Sequence, residues 1–186
     1  MDLLLRLSDA LRWLLERIAR ASGWLLVAMA FVTVFDVTAR KLGLPLPYTK
    51  LQELEWHLHT AIFSLWMGYC YTINAHPRID SLHERLSERG KAWIELGGCL
   101  LLALPYIGLL AYFSLDFVAL SFALGERSES GVGLPYRWII KGIYAAGLWL
   151  VVLGILSVLL RVIVVLFGGR SAREVDLRID HVVSDI

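Results

Sequence analysis

The sequence predicts an all-α membrane protein: four transmembrane helices, an N-terminal amphipathic helix, a short interfacial helix between spans two and three, and both termini in the cytoplasm. Three observations predict it. The chain has 186 residues, 58% of them hydrophobic and 19% charged, with mean hydropathy +0.63, too apolar for a soluble domain of that length. Its charges gather in clusters between long apolar stretches. One stretch, residues 56–75, reads WHLHTAIFSLWMGYCYTINA with no Asp, Glu, Lys or Arg, and a helix of that length covers about 30 Å, the thickness of a bilayer's hydrocarbon core. The net charge of +1 leaves no basic surplus to suggest nucleic acid as a partner.

Residues 1–20 place Leu4, Leu7, Leu11, Leu14 and Ile18 at spacings of three and four, with Arg6, Arg12, Glu16, Arg17 and Arg20 mostly elsewhere around the helix. This is the pattern of an amphipathic helix lying in the membrane interface. Ala28-Met29-Ala30 has the small-x-small form of a signal cleavage site, but the apolar run continues past it, so cleavage is not expected. The membrane domain spans residues 21–169. Span one covers 21–40, with Asp36 about one turn inside its far end, and Pro45 and Pro47 mark the turn after it. Span two covers 53–75, with Glu53 and Glu55 at its mouth. In the polar segment that follows, Ser81 and Glu84 fit a capping box, which predicts the short interfacial helix. Span three covers 93–124, with Pro105 a candidate kink, and span four covers 135–169. Both exceed a perpendicular crossing, which implies tilt or protrusion. Residues 170–186 form a cytoplasmic tail.

Orientation follows from the cations. The N-terminal segment (Arg6, Arg12, Arg17, Arg20), the loop between spans two and three (Arg78, Arg85, Arg89, Lys91) and the C-terminal side (Arg161, Arg170, Arg173, Arg178) hold twelve Lys and Arg, against six on the other side (Arg40, Lys41, Lys50, Arg127, Arg137, Lys141). The positive-inside rule therefore puts both termini in the cytoplasm.

Few residues carry candidate chemistry. Asp36 and Arg40 form an i,i+4 pair with the acid first. An unpaired Asp inside a span costs about 2.5–3.5 kcal/mol, so pairing is expected, and Arg40 is placed to bridge span one to Glu53 or Glu55. A helix clamp is favoured over a proton relay, because no second layer of ionisable groups continues inward. His57 and His59 raise a haem-bearing membrane anchor of a respiratory oxidoreductase as the alternative function. Two residues apart on a helix they diverge by about 200°, whereas a bundle haem needs facing ligands from different helices. Cys70 and Cys99 read as small packing residues, and no tetrahedral metal spacing is present. Asp116 is expected to pair with Arg137 or Lys141, and Arg161 to snorkel to headgroups. His76-Pro77-Arg78-Ile79-Asp80 packs a titratable ring, a guanidinium and a carboxylate at the inner mouth of span two. Gly142 and Ala146, and Gly147 and Gly154 at a spacing of seven, suggest close helix approach. Trp66 and Trp149 lie inside their spans, where a protein partner suits them.

The order of these features resembles the small membrane subunit of TRAP (tripartite ATP-independent periplasmic) transporters, the DctQ-like family. The resemblance covers residues 20–168 and rests on Asp36-Val37-Thr38-Ala39-Arg40, on Glu53, on Gly68 with Tyr69-Cys70-Tyr71, and on His76-x-Arg78-x-Asp80. Pro77 departs from the aliphatic residue usual in that family. The resemblance implies a subunit without catalytic residues, metal or cofactor, in the bacterial inner membrane. It implies two partners: a large multi-span permease subunit that holds the substrate and sodium sites, and a periplasmic substrate-binding protein that delivers a solute, commonly a carboxylate. This chain would widen and brace the scaffold of the large subunit, with Asp36, Arg40, Glu53, His76, Arg78, Asp80, Trp66 and Trp149 as structural or interaction residues. A self-contained small carrier is the third reading.

Overall fold

A computed structural model describes residues 1–75 and 86–177 of the chain. Helices account for most of them: α1 (Asp2–Ser22), α2 (Trp24–Lys41), α3 (Tyr48–Thr72), α4 (Glu88–Gly98), α5 (Leu104–Ala123) and α6 (Trp138–Phe167). Among the described residues there is no strand. Three helical stretches are long and apolar enough to cross a membrane: Asp2–Lys41, Glu88–Ala123 and Trp138–Phe167. Helix α3, read from sequence as span two, has 25 residues but begins with Glu53, Glu55, His57 and His59 in its first half, which dilutes its hydropathy. The His76–Asp80 motif and the capping box at Ser81 lie outside the described residues.

Local sequence explains the breaks. Gly23 keeps helical torsions (φ −56°, ψ −30°), so α1 runs into α2 with only a one-residue interruption. Ser87 caps α4 by accepting a hydrogen bond from the Gly90 amide at 3.2 Å, five residues earlier than the start expected for span three. A π-helical turn, Cys99–Ala103, joins α4 to α5 immediately ahead of Pro105. A proline ring clashes with the carbonyl four residues back, and a widened turn relieves that clash.

Helices α3 and α6 form the centre. In α6, Ile155, Val158, Val162 and Val165 are buried, and α1, α4 and α5 also pack on this helix. The α3–α6 contact is made by small residues. A Cβ at Gly154 would stand 2.5 Å from the Gly68 carbonyl oxygen, and one at Gly147 2.6 Å from the Ser64 Cβ. In lipid, Leu gains nothing by leaving the solvent, so close backbone approach through Gly and Ser supplies the packing. The Gly147/Gly154 repeat thus faces α3, whereas Gly142 meets open space. Helices α2 and α5 flank this core with exposed faces, Phe31 and Val34 on one and Leu109 and Phe113 on the other.

The two ends of the bundle differ. One gathers the start of α1, the start of α4, the end of α6 and the tail segment 171–177: Asp2 pairs with Arg170 at 2.6 Å, and Glu88 accepts from the Ala172 amide. The other holds the α2–α3 and α5–α6 connections.

Candidate functional site

Ionisable groups that pair within the bundle fall into three clusters. In the first, Asp36 is buried, 5% exposed, and Arg40 forks onto it from the next turn: Nε donates to Oδ2 at 2.8 Å and the second guanidinium nitrogen to Oδ1 at 3.1 Å. The guanidinium also lies over the Tyr48 ring, 4.7 Å from its centroid, and the Tyr48 hydroxyl donates to the Ala39 carbonyl at 3.1 Å. This joins α2 to α3, as a clamp should, but through Tyr48. The expected bridge from Arg40 to Glu53 or Glu55 is not formed.

Glu53 faces the α5–α6 connection instead. Its carboxylate accepts from the Leu134 amide at 2.5 Å and from the Ser128 hydroxyl, and so holds the loop 128–134 over the head of α3. Equal depth in the membrane did not decide its partner; the direction in which it leaves α3 did. In the same loop, Glu126 pairs with Lys141 and lies 3.9 Å from Arg137. Lys141 holds the Glu126 carboxyl below its ordinary range, with help from Arg137. Asp116, expected to take one of these cations, is exposed on α5 while Lys141 caps Glu126 and sits over the Phe117 ring at 3.9 Å.

The third cluster escaped the sequence reading. Arg161 is 6% exposed and does not snorkel outward. Its Nε donates to Ser8 Oγ at 2.8 Å, and its other nitrogens reach Asp9 Oδ1 and the Val175 carbonyl. Ser8 Oγ in turn meets Ser157 Oγ at 2.9 Å, and Arg12 pairs with Asp176. One guanidinium therefore ties α1, α6 and the tail together. Separations of 14 to 153 residues hid it, and nothing in the spacing of Ser8 or Asp9 marks them as partners.

Of the two interior tryptophans, Trp66 lies at the Gly23 corner, 3.8 Å from where a Cβ on that glycine would stand. Trp149 is 42% exposed and lines a shallow groove with Gly142, Ala146, Leu115 and Val118. His57 bonds the Glu53 carbonyl of its own helix through Nδ1, and the His59 ring tilts against Phe63. A hollow of about 880 Å³ runs between α3, α6 and the π-helical turn, lined mainly by apolar side chains such as Met67, Leu102, Ile107 and Ile155.

The family model for tripartite ATP-independent periplasmic transporters, DctQ component, matches residues 29–165. The chain belongs to the DctQ family. The match takes in the Asp36–Arg40 fork, Glu53, both interior tryptophans and Arg161, and leaves out all of α1 and the tail that Arg161 gathers. No curated protein and no solved structure matches the chain. As a DctQ component it is an integral membrane part of a tripartite transporter, and the family offers no support for the haem-anchor alternative.

Proposed function

We propose that this DctQ chain is a scaffold subunit. In the bacterial inner membrane it braces the large, sodium-coupled permease subunit during uptake of an organic acid delivered by a periplasmic binding protein. The observation that carries this reading is the use made of the ionisable groups. Arg40, held by Asp36, meets Tyr48 and so ties α2 to α3, Glu53 holds a loop, and Arg161 gathers α1 and the tail. Each serves helix-to-helix or helix-to-loop attachment, and among the described residues they form no ladder across the bundle. Exposed apolar faces on α2 and α5 offer the area that a large membrane partner needs. Trp149, beside Gly142 and Ala146, is our candidate for contact with that partner, and His76, Arg78 and Asp80 are kept as structural or interaction residues from the family resemblance. Four spans with both termini cytoplasmic complete the proposal.

Co-expression with a large TRAP permease subunit from the same source tests the role. A stoichiometric complex is expected, together with no solute flux when this chain is reconstituted alone. Substrate-dependent flux from the lone chain would defeat the scaffold reading. Arg40→Ala should lower assembly and leave solute choice and sodium coupling unchanged.

A further inference from the structure

Helix α1 carries seven charged residues in its first twenty positions, which bars it from the hydrocarbon core. Its charges are sorted by flank. Every acid is engaged within the chain: Asp2 with Arg170 at 2.6 Å, Glu16 with Arg20 at 2.5 Å, and Asp9 with Arg161. The other flank presents Arg6 and Arg17, which have no carboxylate partner among the described residues. Eleven residues make close to three helical turns, so the two guanidinium groups rise from one line about 16 Å apart. Arg17 lies over the exposed Trp13 ring, 5.4 Å from its centroid.

Between this cationic line and the face packed on α3 and α6 runs an apolar strip of Leu3, Leu7, Ala10 and Leu14. It is left open, with Leu3 77% and Leu7 51% exposed. The packed face is a different one, made of Ser8, Leu15, Ala19 and Ser22. The protein thus covers Ser8, Leu15, Ala19 and Ser22 and leaves Leu3, Leu7 and Leu14 open, with Arg6 and Arg17 beside them. An apolar strip edged by unneutralised arginines and an aromatic ring complements a leaflet whose headgroups carry negative charge. We infer that α1 binds anionic phospholipid, its leucines at the acyl boundary and Arg6 and Arg17 on the phosphates. The inference rests on the membrane reading and not on the transporter role, so failure to recover a permease partner would leave it standing.

The test uses the full chain in neutral detergent with added phosphatidylglycerol or phosphatidylcholine, and reads thermal unfolding. Phosphatidylglycerol should raise the melting temperature more than phosphatidylcholine does. The difference should shrink at 1 M salt, where screening acts over about 3 Å. The double variant Arg6→Gln/Arg17→Gln should lose about half of that difference or more, since each basic residue near a charged leaflet adds a several-fold factor. Arg6→Lys/Arg17→Lys should keep it, and so should Arg127→Gln at the opposite end of the bundle. Equal responses to the two lipids in the parent, or an unchanged response in the double glutamine variant, would overturn the inference.

Discussion

Arg161 on α6 and Ser8 on α1 meet at 2.8 Å across 153 residues of sequence, and both are buried. The guanidinium replaces the water that both groups lose on assembly. Removing it takes the side-chain donor from the Val175 carbonyl and one of three partners from Ser8 Oγ, which keeps Ser157, whereas Asp9, 65% exposed at its side chain, can turn to solvent. Arg161→Met should therefore cost about 2–3 kcal/mol, read by thermal or denaturant unfolding in detergent. Ser8→Ala should cost about 1 kcal/mol, and the two together less than their sum, because they share one interaction. Additive losses would show that Arg161 acts through Asp9 or the tail instead.

The Asp36–Arg40 fork is asymmetric, and the asymmetry predicts an order. Asp36 is 6% exposed at its side chain and Arg40 38%. Arg40→Ala leaves a buried carboxylate without its cation, so it should lower the unfolding midpoint the most. Asp36→Asn leaves a guanidinium that still rests on Tyr48 and still reaches the surface, so its cost is smaller. The double variant Asp36→Asn/Arg40→Ala should recover part of the loss of Arg40→Ala alone. Unfolding midpoints of the three proteins decide it.

What was legible in the sequence is what is local. The fork is an i,i+4 pair on one helix, so spacing alone located it. Long apolar runs announced the helices, since lipid demands satisfied backbone over the whole span. The leucine stripe marked α1 as amphipathic but did not say which face packs: beside a membrane Leu7 and Leu14 are comfortable outside, and Ser8, Leu15, Ala19 and Ser22 go inside. Glu53 was matched to Arg40 by depth, and depth says nothing of azimuth. The partner found, the Leu134 amide, is 81 residues away and is a backbone group, which no side-chain pattern reports.

Glycine substitutions separate packing from propensity. A Cβ at Gly68 would run into the Leu150 carbonyl carbon at 2.6 Å, a backbone atom that cannot swing aside. Gly68→Ala should force α3 and α6 apart at a cost of about 1–3 kcal/mol or more. At Gly108, in the interior of α5, a Cβ meets nothing within 4 Å. There Gly108→Ala should gain about 0.5–1 kcal/mol from the helix preference of alanine. Opposite signs in unfolding midpoint are the expected result, and a loss at both positions would count against the α3–α6 contact as the reason for the first.

Acid should loosen the α5–α6 connection through Glu126. Its carboxyl titrates below its ordinary value of 4.5 because Lys141 bonds it and Arg137 lies near. A carboxyl held lower in the folded chain than in the unfolded one stabilises the fold at every pH above that ordinary value. The contribution fades as pH falls from about 4.5 through the lower native value, because the folded state must then take up a proton it resists. Between pH 7 and 5 the unfolding midpoint should therefore carry no signal from this pair. Below that window, wild type should lose stability faster than Glu126→Gln, which has nothing there to protonate, and the gap between the two proteins seen at pH 7 should close. A gap of constant size down to pH 3 would mean that the Glu126–Lys141 contact holds the loop by hydrogen-bond geometry alone, without help from its charge.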